Sequence, residues 1–169
     1  EVELLPVGTS AVWHSLRALS VGSSIAKFEV TWVEAARGYG EGELRQDEEG
    51  EPDAEERQKL RILARKGGAW EDFSRDTSGG FFVSNATQVL PLARKLAMEL
   101  RQGKTATAHA YTDAEAAVGT MLRALATVPR LEGAAPLSCS AGSAERPGEP
   151  CARVLVHAQA APREEQPTP

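Results

Sequence analysis

Residues 27–33 read Lys-Phe-Glu-Val-Thr-Trp-Val, in which polar and apolar side chains alternate as far as Trp32. Phe28, Val30 and Trp32 fall on one face, and Lys27, Glu29 and Thr31 on the other. Period two is the pattern of a half-buried strand, so a sheet must be part of this fold. A lone strand or hairpin is not stable in water, so neighbours are needed. Val2 to Val7, Val12 to Leu19, Phe81 to Ser84, Thr105 to Thr112 and Arg153 to Ala158 supply strand-like runs, with Glu43 to Gln46 as a short returning strand. Gly38, Gly40 and Gly42, and again Ser78-Gly79-Gly80, mark turns between them. Trp70 to Arg75 reads as a short strand or an irregular link. Aromatics are only 5% of the chain, so the core that this sheet covers has to be aliphatic and alanine-rich.

Helical patterns break the run of strands. Asp53 with Glu56 three residues later resembles a capping box, and Leu60, Leu63 and Ala64 form an apolar stripe ahead of Arg65, Lys66 and the Gly67-Gly68 stop. The spacing predicts a helix over about 54–66. Leu92, Ala93, Leu96, Ala97 and Leu100 are helically spaced and stop at Gly103. Residues 113–126 favour helix by propensity, but Gly119 leaves a turn and a strand open. The segment from Ser140 to Pro150 reads as a loop. The fold class that results is mainly β: a single domain over 1–159 with the helix at about 54–66 and room for one or two more between 88 and 126. Residues 160–169 are polar and proline-rich and read as a tail or linker. No internal repeat is visible.

Candidate chemistry is sparse. The chain has no G-x-S-x-G elbow, P-loop or G-x-G-x-x-G fingerprint, and Gly38-Tyr39-Gly40-Glu41-Gly42 reads as a hairpin turn. The acidic block from Asp47 to Glu56 lacks calcium-loop spacing and reads as a solvated loop. His14, His109 and His157 lack the close pairing of many metal sites. No metal, cofactor or catalytic site is therefore expected, with His109 beside Asp113 or Glu115 as the one enzymatic alternative. Trp13, Trp32 and Trp70 are the candidate interface anchors, though core packing explains each as well. The net charge of −5 and the pI of about 5.3 argue against a nucleic-acid partner. No apolar run reaches the roughly 20 residues that a bilayer-spanning helix needs.

Compartment signals are few. An opening on Glu1 with no leader is what a processed secretory protein would give. Cys139 and Cys151 bracket a Gly/Ser/Pro-rich stretch, which suits either a disulfide or two unpaired thiols. Asn85-Ala86-Thr87 is a glycosylation sequon. Together these lean towards the secretory pathway.

The order of features resembles the luminal domain of subunit 10 of the endoplasmic reticulum membrane protein complex. The residues that carry the likeness are Trp13-His14-Ser15-Leu16, the strand at Phe28 to Trp32, Glu55 to Arg61 as a charged helix, Gly80-Phe81-Phe82-Val83-Ser84, His109 to Asp113, and Cys151 to Pro169. The family's cysteine after the valine-serine strand is missing here. The resemblance implies a luminal β-sandwich and a non-catalytic accessory subunit of a membrane protein insertase. Its partners would be other subunits of that complex, with membrane association through them or through a segment outside this chain. The alternatives are a secreted or luminal ligand-binding module and an accessory subunit of an organellar energy-transducing complex.

Overall fold

A computed structural model describes residues 1–6, 8–21, 26–34, 58–66 and 79–160. Along the chain these form β1 (Val2–Leu4), α1 (Thr9–Val21), β2 (Ala26–Glu34), β3 (Gln58–Lys66), β4 (Phe81–Phe82), α2 (Val89–Arg101), β5 (Ala106–Tyr111), α3 (Glu115–Glu132), β6 (Ser138–Ala144) and β7 (Arg153–Gln159). The strands make one sheet in the order β1-β3-β2-β6-β7-β5-β4. All neighbours are antiparallel except β4 with β5, which are parallel.

The alternation at 27–33 is β2, with Phe28 and Val30 buried in the core. Facing positions on the other strands continue that apolar surface: Leu60 and Ile62 on β3, Cys139 and Ala141 on β6, Val154 and Val156 on β7, and Ala106, Ala108 and Ala110 on β5. The helices close over it. α2 buries the stripe Leu92, Ala93, Leu96 and Ala97. α3 is buried nearly all round through Val118, Met121, Leu122, Leu125 and Val128, because the sheet, α1 and α2 all pack against it. It ends where Gly133 turns left-handed at φ 58°, and the Ala134 amide donates to the Pro129 carbonyl.

Three local expectations need correction. Residues 58–66 are strand β3, and the rest of the expected 54–66 helix lies outside the described residues. Leu60 and Ile62 point to the core while Lys59, Arg61 and Arg65 do not, so the period is two; the helical stripe overlooked Ile62. Val12 to Leu19 lies in helix α1, because Val12, Leu16 and Leu19 recur at helical spacing and all three are buried. The stretch after Ser138 is strand β6, not a loop. Its residues (Ser-Cys-Ser-Ala-Gly-Ser-Ala) have low strand propensity, yet small side chains are what a central strand under α1 requires. The β-rich expectation is met by the seven-stranded sheet, which shares the fold with a comparable amount of helix. The second sheet of a sandwich is absent among the described residues, where helices cover the core face instead.

The expected strands at 43–46 and 70–75 and the turn at 37–42 lie outside the described residues. The open reading of 88–126 resolves into α2, strand β5 and the first part of α3. The repeat that the sequence hides is visible in the topology. β1-α1-β2-β3 and β5-α3-β6-β7 are both strand-helix-strand-strand units whose last strand inserts, antiparallel, between the first two. The units meet where β2 pairs antiparallel with β6 at Phe28↔Cys139. Register then makes Ala64 equivalent to Ala158, Ile62 to Val156, Leu60 to Val154, Leu4 to Ala108 and Val2 to Ala106. The helices cross over: α1 packs on β6 and β7 of the second unit, and α3 on β2 of the first as well as on its own β5.

Candidate functional site

The sheet face opposite the helices carries a polar cluster where β5, β7 and β4 adjoin. Antiparallel register sets Thr107 opposite His157, His109 opposite Leu155 and Tyr111 opposite Arg153. Alternation sends Thr107, His109 and Tyr111 to the same side. The parallel edge strand adds Phe82 beside His109. Gly80 lies so close over this row that a Cβ there would meet the His109 Cδ2 and the Thr107 Cγ2 at 3.0 Å, and the Thr107 carbonyl oxygen at 3.2 Å. Only glycine lets the chain enter β4 at that distance.

Arg153 is the hub. Its Nε donates to Glu149 Oε2 at 2.8 Å, and a second guanidinium nitrogen donates to Glu149 Oε1, a two-pronged ion pair. Its Nη1 lies 3.1 Å from His109 Nδ1. Arginine can only donate, so His109 Nδ1 accepts there and carries no proton. The guanidinium also sits 4.9 Å from the Phe82 ring centre and 5.2 Å from that of Tyr111, a cation–π clamp. The Glu149 hydrogen bond is the main reason that the Arg153 guanidinium holds its proton above its ordinary range, against the opposing effect of burial. One row along, Thr107 Oγ1 and His157 Nδ1 are 2.7 Å apart. The Ser140 hydroxyl, opposite His157 on β6, is buried and has no hydrogen-bond partner among the described residues.

Chemically, this cluster fixes a loop. Glu149 belongs to the connection between β6 and β7, and Arg153 ties it back across β5 to the edge strand. Thr112, just after β5, takes part as well: its amide and its hydroxyl both donate to the Ala152 carbonyl, at 3.0 and 3.1 Å. The enzymatic alternative for His109 meets a different neighbour, since Arg153 and not Asp113 contacts its Nδ1. Asp113 Oδ1 accepts from the Cys151 thiol at 3.4 Å, and Glu115 opens α3.

The structure disperses the other candidate residues. Trp13 packs against the core from α1; its Nε1 donates to the Thr112 carbonyl, and Arg17 lies 5.1 Å over its ring. Trp32 packs on the core, donating to Thr127 Oγ1 at 3.1 Å. Trp70 lies outside the described residues. His14 is on α1, away from the strand pair that joins the other two histidines. Asn85 is exposed in the turn where the Ser84 amide donates to Thr87 Oγ1 at 3.0 Å. Cys139 and Cys151 are both free, which corrects the disulfide reading. They stand at opposite ends of the β6–β7 hairpin: Cys139 pairs with Ala158, whereas Cys151 precedes Arg153 at the far end. Burial, with the Glu29 carboxylate adding to it, pushes the Cys139 thiol far above its ordinary range.

Elsewhere on the described surface, Lys27, Glu29, Leu63 and Arg65 border a shallow basin of about 270 Å³. Its charges are partly paired, Arg65 reaching Glu1 at 3.1 Å and Glu29 at 3.7 Å. Among the described residues no three His, Cys, Asp or Glu side chains converge as metal ligands, and no helix is long and apolar enough to cross a membrane. Arg153, Glu149, Phe82 and Tyr111 were not legible as a group from sequence. The signal was the alternation in two strands, Thr107/His109/Tyr111 and Arg153/Leu155/His157, which converge only once β5 and β7 are known to pair. No protein-family profile, curated protein or solved structure matches this chain.

Proposed function

We propose that this chain is a non-catalytic interaction domain, an accessory part of a larger protein assembly. The observation that carries the reading is the contrast between the two kinds of side chain at its margins. In the polar cluster, Arg153, Glu149 and His109 are engaged with one another. Large apolar side chains remain exposed instead: Val2 on β1 and Leu5 just after it, Phe82 on β4, and Leu90 and Met98 on α2. Scattered apolar exposure is ordinary, but apolar residues on a sheet edge are costly to leave open and suit a partner.

The assembly is a membrane-associated one of the secretory pathway on this reading, which rests on the family resemblance and the exposed sequon at Asn85. The luminal β-sandwich that the resemblance implies differs from the helix-covered sheet described above. What carries over is therefore the accessory role, not the geometry. The test is a native pull-down of the tagged full chain from its own cells in mild detergent. Co-elution with the endoplasmic reticulum insertase supports the full reading. A different large assembly keeps the accessory role and removes the family. A free monomer overturns both.

A further inference from the structure

Strand register lines up a row of polar side chains on the sheet face away from the helices. Lys27 stands opposite Arg65, Ser140 opposite His157, and His157 opposite Thr107. Phe28 and Cys139 pair antiparallel and both point into the core, so their neighbours Lys27 and Ser140 adjoin each other on the outer face. The row therefore crosses the seam between the two units without a break. Two of its members at that seam are unsatisfied. The Ser140 hydroxyl is 1% exposed and has no hydrogen-bond partner among the described residues, a costly state for a buried polar group. Lys27 has no ion-pair partner among the described residues. The basin of about 270 Å³ lies over the same seam, with Lys27, Glu29, Leu63, Arg65, Lys66 and Ser138 around it. That volume is near the lower end for small-molecule sites, roughly 300 Å³. Its carboxylate, Glu29, is within reach of Arg65, which also holds Glu1. Lys66, like Lys27, has no ion-pair partner among the described residues.

We propose that the seam between β2 and β6 binds a small organic phosphate. The Lys27 and Lys66 ammonium groups match the double charge of a phosphate monoester near neutral pH. The hydroxyls of Ser138 and Ser140, two residues apart on the same face of β6, donate to its oxygens, which gives the buried Ser140 hydroxyl the acceptor that the protein does not supply. Leu63 is the apolar wall for the organic part, and Glu29 turns away a second negative group. The inference goes beyond the interaction reading and does not depend on it, because every group it uses belongs to this chain.

The test is an NMR titration of the full chain at about 0.15 M salt, where loose surface charge pairing is screened. The probes are phenyl phosphate, phenyl sulfate, which carries one charge, and inorganic phosphate, which lacks an organic part. Phenyl phosphate is expected to shift the Lys27, Ser138 and Ser140 amides saturably, with a dissociation constant of about 1 mM or tighter, and to bind more tightly than either of the others. Lys27→Met and Ser140→Ala should each weaken it about tenfold. Lys104→Met, at a lysine that pairs with Glu99 away from the seam, should leave it unchanged. Ser140→Ala also gives a readout independent of binding. Removing a buried hydroxyl that has no partner should raise the melting temperature of the free protein while reducing the further rise that phenyl phosphate produces. Circular dichroism melts establish that Lys27→Met is folded. The proposal is overturned by any of three results: no saturable shift with phenyl phosphate, equal binding of phenyl sulfate or inorganic phosphate, or undiminished binding to the folded variants. A Ser140→Ala chain that melts lower would overturn it too, since the hydroxyl would then serve the fold.

Discussion

Phe28 of β2 and Cys139 of β6 stand opposite each other where, among the described residues, the strands of the two units pair. Both are buried, and the helix of each unit lies over strands of the other. Neither unit therefore has a complete core without its mate. Phe28→Ala should cost about 3–5 kcal/mol, as truncating a fully buried aromatic does. Denaturant unfolding followed by fluorescence and by circular dichroism should stay a single coincident transition. Two separated transitions would show that the units fold independently.

The thiols give a second check. Cys139 is buried with its thiol shifted upward, and Cys151 is partly exposed beside Asp113. A maleimide mass-shift assay on the native protein should label Cys151 first and Cys139 only after denaturation. A reductant should leave the melting temperature unchanged. A native protein that takes no label until it is reduced would contradict the free-thiol arrangement.

Gly80 sits where a side chain has no room. Gly80→Ala forces a methyl against His109 and Thr107 and should cost about 1–3 kcal/mol. The local readout is the Val83 amide, whose bond to the His109 carbonyl holds the edge strand. Its hydrogen exchange should quicken while amides in β2 change little.

Arg153 holds the β6–β7 connection through one ion pair, one histidine and two rings. Arg153→Ala should destabilise by about 2–3 kcal/mol, since it leaves the shielded Glu149 carboxylate without its partner. Arg153→Lys should recover only part of that, because a point charge cannot reproduce the fork and the stack. Nitrogen chemical shifts of His109 should report an unprotonated Nδ1 in the wild type.

Arg101 and Glu132 tie the C-terminal ends of α2 and α3 through two contacts of 2.7 Å. The Arg101 hydrogen bond holds the Glu132 carboxyl below its ordinary range, against a smaller opposing effect of desolvation. A depressed folded-state value contributes stability above the ordinary carboxylate range and loses it as pH falls through the folded value. A titration by NMR should place the Glu132 midpoint below that of an ordinary glutamate, and Arg101→Gln should return it. The pair is exposed, so high salt should weaken the effect.

Sequence made much of this fold legible where burial and local pattern agree. β2, β5, β7 and α2 follow from their periodicities, and the alanines of 113–126 did form α3. The failures share a cause, which is that tertiary context decided. β6 is built of small residues because α1 packs on it. α1 itself resembled a strand because Val12, Trp13 and Leu16 have strand-forming character when their spacing is ignored. β3 looked helical because Leu60, Leu63 and Ala64 fit one period while Leu60 and Ile62 fit another. The cluster around Arg153 could not be read at all, since it depends on which strands are neighbours. The two-fold relation left little trace in residue identity: Ala64 answers to Ala158, but Phe28 answers to Cys139 and Ile62 to Val156, pairs that share only their burial.

We propose that this domain works by binding partners within a larger assembly. Hydrogen–deuterium exchange on the full chain, alone and within the assembly that co-purifies with it, tests this most directly. Slowed exchange in the assembly at residues that stand exposed in the free chain, such as Val2, Leu5, Leu90 and Met98, is the predicted result. Exchange at every one of these residues as fast as in the free chain would contradict it.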